Sequence, residues 1–232
     1  MKTREEYIEA VKVKLEEISP FEEPASFIAA GDTAINSVKP IISYIEKNLD
    51  EAARNCLRSL PLSLLHADIE RKTDGFSVDV NGVGVITGIH ANYRYVRFRH
   101  TALKRDITAF ITSEDPLYLV QQNEDVRGGL AKPVAVLASF HDGTNAGQME
   151  IYSFKPKMDL DFDPSEVSKE FVLLYINTEK TAGNDTANHI MSPIEDLIVL
   201  ECARMVSNIL GDFNGAKVCE NELQSKIQAI LK

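Results

Sequence analysis

The spacing of apolar residues changes period twice along this chain, and that change constrains the fold more than any single motif. Near both ends apolar residues recur every three or four positions, the repeat of one helix face. Through the middle they gather in short β-branched and aromatic runs of strand length. The order helices, strands, helices predicts an α+β protein: a helical bundle formed by the N- and C-terminal helices, with an antiparallel β-rich sheet or small barrel inserted between them. Residues 1–65 and 191–232 fall to the helical core and 66–190 to the inserted β-rich domain.

Local signals place the elements. Across residues 3–18, Ile8, Val11, Leu15 and Ile18 form one apolar stripe. Thr3 and Glu6 have capping-box spacing, in which hydroxyl and carboxylate satisfy each other's free N–H groups, and Ser19-Pro20 closes the helix. A turn-rich stretch follows, then a helical pattern over 33–60 that Pro40 either kinks or begins. Its stripe is Ile41, Ile45, Leu49, Ala52, Cys56 and Leu60, and Pro61 ends or kinks it. Asn81-Gly82 is a hairpin turn signal, and DPLYLVQQ, PVAVLASFHDG, GQMEIYSF and KEFVLLYI read as further strands. After a polar loop at 180–190, Ser192 reads as an N-cap, with Pro193 in the first turn and Glu195 completing the box. Leu197, Leu200, Ala203 and Ile209, widened by Val199, Cys202, Met205 and Val206, predict a helix packed on two sides. Gly211 stops it, and Asp212 caps a last helix bearing Ala216, Cys219, Leu223, Ile227 and Ile230.

Charge and cysteine usage exclude several classes. With 35 acidic against 25 basic residues the net charge is −10, which disfavours wholesale binding to nucleic acid or an anionic membrane. Cys56, Cys202 and Cys219 form no CxxC pair, so they read as buried core residues in a reducing compartment. The opening MKTREEYIEA lacks the apolar segment of a secretory signal, and no apolar run approaches the roughly 20 residues of a membrane span.

Candidate chemistry is sparse. GVGVITG at 82–88 has Thr87 where the GxGxxG spacing of a dinucleotide loop needs glycine, and strand-like sequence follows instead of a helix N-terminus, so the glycines read as hairpin and sheet packing. Asp159, Asp161, Asp163 and Glu170 fall at calcium-loop positions, but Pro164 stands where the sharp turn needs glycine. The histidines (His66, His90, His100, His141, His189) have no metal-binding spacing. Ser139, His141 and Asp142 have triad residue types, but strand neighbours point to opposite faces. The expectation is a chain with no catalytic site, no cofactor and no metal.

The most unusual segment is basic. Residues 91–110 hold Arg94, Arg97, Arg99, Lys104 and Arg105 against Asp106, a local charge of +4, so the other residues carry −14. As a regular strand, 93–100 would put Tyr93, Tyr95, Arg97 and Arg99 on one face and Arg94, Val96, Phe98 and His100 on the other. Arginine interleaved with aromatics can hold nucleic acid by charge and stacking. The same arginines can equally pair with the chain's own carboxylates or a neighbour's. Tyr93, Arg94, Tyr95, Arg97, Arg99, Lys104 and Arg105 are therefore the candidate interface or DNA-facing residues.

The layout resembles the head-to-tail connector proteins of tailed bacteriophages, the adaptor, neck or ring proteins beneath the portal. EEYIEAVKVKLEEI and AINSVKPIISYIEKNLDEAARNCLRSLP look like their opening helices, and SPIEDLIVLECARMVSNILGDFNGAKVCENELQSKIQAILK like their closing pair. Between them, DPLYLVQQ, KPVAVLA, GQMEIYSFKP and FVLLYI resemble the β-rich insertion of podovirus-type and crAss-like neck proteins. The resemblance implies a structural virion protein, made in the host cytoplasm, in a homo-oligomeric ring that is commonly twelve-fold. Its partners would be the portal, another neck or tail protein and, in transit during ejection, double-stranded DNA. A nucleic-acid-binding accessory protein using the basic strand 93–105 is the alternative.

Overall fold

The computed structural model describes residues 2–18, 41–123, 125–129, 131–138, 146–153, 163–183, 190 and 194–231. The protein is mixed α+β, with helices towards both chain ends and strands between. It divides into two compact units: Met1–His66 with Thr178–Lys232, and Ala67–Asn177.

The first unit contains α1 (Arg4–Ile18), α2 (Ile41–Ser59), α4 (Glu195–Ile209) and α5 (Phe213–Ile230). The capping box opens α1: Thr3 N donates to Glu6 Oε2 at 2.7 Å, and Glu6 N to Thr3 Oγ1 at 3.2 Å. Its buried line is Tyr7, Val11 and Leu15, so Tyr7 takes the place expected of Ile8, which is half-buried like Ile18. α2 buries Ile45, Leu49, Ala52, Ala53, Cys56 and Leu57. The turn at Ser19-Pro20, the segment 21–39 and the kink or start at Pro40 lie outside the described residues.

α4 packs against α1, α2 and α5, and buries nine of its residues from Leu197 to Ser207. Small side chains at Ala52, Ala53, Cys202 and Ala203 let α2 and α4 approach closely. Ile209, expected on the buried stripe, is 51% exposed, while Ile198 is fully buried. Ser192 and Pro193 lie outside the described residues, and the helix itself starts at Glu195. Gly211, with φ of 81°, ends the turn after α4, and the Asp212 carboxylate caps α5 by accepting from Gly215 N at 2.9 Å. α4 also holds a buried carboxylate. Arg204 Nε and Nη2 close on the two Glu201 oxygens at 2.8 Å each, and Asn55 Nδ2 donates to Oε1 at 3.2 Å. Ion pairs bind distant parts of this unit: Lys2 to Asp196 at 2.5 Å, Arg4 to Asp50 at 2.9 Å and Lys14 to Glu222 at 2.8 Å.

The second unit holds two sheets. One has three strands in the order β1-β8-β4, with β1 at Asp68–Lys72, β8 at Phe171–Asn177 and β4 at Tyr93–His100. The other runs β2-β3-β7-β6-β5: Phe76–Val78, Val83–His90, Ala146–Tyr152, Val134–Ala138 and Phe110–Thr112. All pairings are antiparallel except β5 with β6, which is parallel and departs from the antiparallel expectation. Both sheets contribute to one apolar core, including Phe76, Ile86, Met149 and Ile151 from the second and Tyr95, Phe98, Phe171 and Leu173 from the first.

DPLYLVQQ is not a strand. Asp115 caps a short helix, α3 (Pro116–Gln121), by accepting from Leu117 N at 2.8 Å, with Pro116 in the first turn. The helix is inverted: Gln121 is buried and Tyr118 is half-buried against Tyr152, while Leu117, Leu119 and Val120 are exposed. Gln121 Oε1 accepts from Gly128 N at 2.9 Å, and Gln122 Nε2 donates to the Tyr152 hydroxyl at 2.9 Å.

Candidate functional site

The basic segment folds as β4 and the turn that follows it. Pairing with β8 shifts register between Tyr95 and Arg97, which makes Val96 a bulge. A bulge consumes one extra residue, so the alternation reverses phase there. Tyr95 lies opposite Tyr175, Phe98 opposite Leu173 and His100 opposite Phe171, all towards the core. Arg94, Arg97 and Arg99 lie opposite Ile176, Leu174 and Val172, towards the other side. The regular alternation expected for 93–100 is therefore wrong after Tyr95. The aromatics and the arginines are sorted onto opposite faces, not interleaved.

Each part is fixed locally. The Tyr95 hydroxyl accepts from His90 N at 2.8 Å and donates to His90 O at 3.1 Å; burial pushes its pKa well above the ordinary tyrosine range. Tyr93 stacks on Tyr175 with centroids 4.3 Å apart and rings nearly parallel. His100 is buried, with Nε2 2.8 Å from Ser168 O and Nδ1 accepting from Ala102 N at 3.1 Å. The chain then folds back, and Phe98 and Ile107 exchange two backbone hydrogen bonds of 2.9 Å.

This return sets Asp106 beside the arginines. Arg99 Nε lies 3.0 and 3.1 Å from its two oxygens and Nη2 2.8 Å from Oδ2, while Arg97 stands 3.7 Å away. The Arg99 guanidinium, its hydrogen bonds above all, holds the Asp106 carboxyl below the usual carboxylate range. Arg97 and Arg99 remain exposed, as do Lys104 and Arg105 on the turn.

Strand pairing extends the face beyond the residues the sequence singled out. Ile69 pairs with Leu174, which pairs with Arg97; Arg71 pairs with Val172, which pairs with Arg99. The outer face of the three-stranded sheet thus has apolar side chains at its centre and guanidiniums to either side, and Ile69 is 66% exposed. β1 is missed by sequence reading because DIERK is charged and short. The faint signal is Ile69 alone among polar residues, one exposed strand position.

The other sequence candidates resolve differently. Gly82 (φ 72°) sits in the β2–β3 hairpin, where Asp79 Oδ1 accepts from Asn81 N and Val83 N, and Gly88 (φ 77°) occupies a bulge in β3. Their neighbours are strands, so the segment offers no helix N-terminus for a phosphate. Asp163 caps a single 3₁₀ turn by accepting from Ser165 N at 2.8 Å, and Glu170 is exposed. Asp159 and Asp161, the Ser139–Asp142 segment, His189 and most of the polar loop at 184–189 lie outside the described residues. Among the described residues no group of three or more His, Cys, Asp or Glu side chains could hold a metal ion, and no helix is long and apolar enough to cross a membrane. No family model matches the chain, and no curated protein matches it in sequence.

Proposed function

We propose that this chain is a non-catalytic structural protein of a phage virion, a subunit of the ring that joins portal to tail and through which DNA passes. The observation that supports it most is the outer face of the three-stranded sheet, with Leu174 and Val172 on the central strand between Ile69 and Arg71 on one edge strand and Arg97 and Arg99 on the other. An apolar centre flanked by guanidiniums is the composition of a protein-binding surface. In this reading the terminal helices form the bundle that builds the ring wall, and the inserted sheets meet the neighbouring subunit, the portal or the next neck or tail protein. An overall charge of −10 suits a conduit that must release DNA, because a cationic wall would retain it. The resemblance of the terminal helices to connector proteins supplies the setting, including assembly in the host cytoplasm and a ring that is commonly twelve-fold.

The test is affinity purification of the tagged protein from its native lysate, read by mass spectrometry. Co-purification of a portal, capsid or tail protein is expected; recovery of nucleic acid alone would overturn the proposal.

Binding to nucleic acid through 93–105 is the second reading, favoured by the exposure of Lys104 and Arg105 beside Arg97 and Arg99. It is weakened by the burial of Tyr95 and Phe98, which removes them as stacking platforms. It requires salt-sensitive retardation of DNA or RNA that disappears when Arg94, Arg97 and Arg99 are replaced together.

A further inference from the structure

The inverted helix α3 leaves an apolar surface that the assembly reading alone does not explain. Of six large apolar residues exposed among the described residues of the second unit, Leu117, Leu119 and Val120 lie on this helix, Val126 on the loop after it and Val80 on the β2–β3 hairpin. Hydrogen bonds link the segments that carry them. Val126 N donates to Asn123 O and Asn123 N to Val120 O, while Arg127 Nη2 donates to Asn81 O, bringing the loop after α3 to the hairpin that bears Val80. Monomers seldom gather exposed apolar side chains in this way unless the patch binds something.

Beside these residues acidic side chains outnumber basic ones, with Lys132 held next to Gly129 as the exposed cation. Asp79, Glu114, Asp115 and Asp125 adjoin these residues in sequence, and the cation among them, Arg127, is turned onto a backbone carbonyl. α3 lies over Tyr152, on the face of the five-stranded sheet turned away from the shared core. The arginine-bearing face lies outside the three-stranded sheet, on the other side of that core. One unit therefore presents an apolar surface with a basic margin on one side and an apolar surface with an acidic margin on the other.

Surfaces of matched chemistry and opposite charge are complementary between copies. We infer that the α3 patch receives the Ile69–Leu174–Arg97 face of a second copy of this chain. The inference rests on the assembly reading above and specifies its contact. Because the two surfaces differ, the contact is head-to-tail, so each copy uses one surface on each neighbour and the chain of copies closes into a ring or continues. Asp106 helps by holding Arg97 and Arg99 extended on the sheet before contact, which reduces the ordering they must undergo.

Two variants and their mixture test it. Ile69→Glu with Arg71→Glu spoils the basic face, and Leu119→Asn with Val126→Asn spoils the patch; all four side chains are exposed, so each variant should fold, as circular dichroism will verify. Sedimentation velocity of the wild type should show assemblies larger than the 25.8 kDa chain. Each variant alone should sediment as a monomer, with self-association weakened on the order of 100-fold. Mixed in equal amounts, the variants should form a one-to-one dimer, because each keeps the surface the other lacks. A wild type that assembles while the Leu119 and Val126 variant assembles equally well would overturn this contact and leave self-assembly standing. Two monomeric variants that do not dimerise on mixing would do the same. A wild type that stays monomeric at every concentration would overturn both.

Discussion

Replacing Arg204 with alanine is expected to destabilise the helical unit by about 2–4 kcal/mol. The Glu201 carboxylate is only 8% exposed and lies on α4 where that helix meets α2 and α5. Removing one partner of a buried ion pair costs about 3–5 kcal/mol, mostly because the remaining charge is stranded away from water. Two features lower the figure here. Arg204 is itself 31% exposed, and Asn55 still donates one hydrogen bond to the stranded carboxylate. Urea unfolding followed by far-ultraviolet circular dichroism, which reports mainly on helices, should show the midpoint falling by about 1–2 M. The companion variant replaces both Glu201 and Arg204 with leucine. It should be more stable than Arg204→Ala alone, because no charge is left buried. A loss below about 0.5 kcal/mol for Arg204→Ala, the size of an ordinary surface substitution, would refute the reasoning. So would a double variant no more stable than Arg204→Ala.

Other outcomes follow from the same geometry. Gly183 combines φ of 85° with the Thr3–Arg4 backbone where a β-carbon would stand, whereas Gly88 has a similar φ and open space there. Gly183→Ala should therefore cost clearly more than Gly88→Ala, for which backbone strain of about 1–2 kcal/mol is expected; equal losses in chemical denaturation would contradict the clash. Asp106, Asp196 and Glu222 are held below the ordinary carboxylate range by hydrogen bonds from Arg99, Lys2 and Lys14. The folded state therefore binds their protons less readily than the unfolded chain. Their stabilisation is present above about pH 4 and lost as pH falls through the lowered values. Asp106→Asn, Asp196→Asn and Glu222→Gln combined should flatten the acid side of the thermal-midpoint profile, and an unchanged slope would count against the pairs. Burial pushes the thiols up, Cys219 to about 11, Cys202 to about 12 and Cys56 further. A disulfide reagent at mildly alkaline pH should therefore label them only as the chain unfolds; immediate labelling of folded protein would show that they are accessible.

What the sequence discloses depends on whether a local group dictates the local backbone. Thr3 with Glu6, and Asp212, accept from N–H groups within a few residues, and Asn81-Gly82 turns the β2–β3 hairpin; each does what its spacing implies. Asp115-Pro116 is the same kind of signal, an N-cap followed by proline, but the apolar run Leu117–Val120 after it reads as a strand. That run misleads because Leu117, Leu119 and Val120 are exposed, reversing the rule by which apolar periodicity is read. The bulge at Val96 has no signature in its own residues. It is set by β8 across the sheet, yet it decides which side of the molecule receives the arginines. β1 is legible only through the partner that pairs with it, since nothing in DIERK alone distinguishes a strand from a charged loop.

The first unit is assembled from both ends of the chain, and this orders events during synthesis. Lys2 and Asp196 are 194 positions apart, and α1 and α2 find their main partner in α4. On the ribosome the two leading helices must wait, with Leu15, Ile45 and Leu49 lacking their burial partners, until more than a hundred further residues have emerged. The strands of Ala67–Asn177 are contiguous and need no such delay, so they can close around Phe98 and Met149 first. Translation speed through 67–177 then sets how long the leading helices stand open, and a chaperone acting on the nascent chain would find its substrate in α1 and α2.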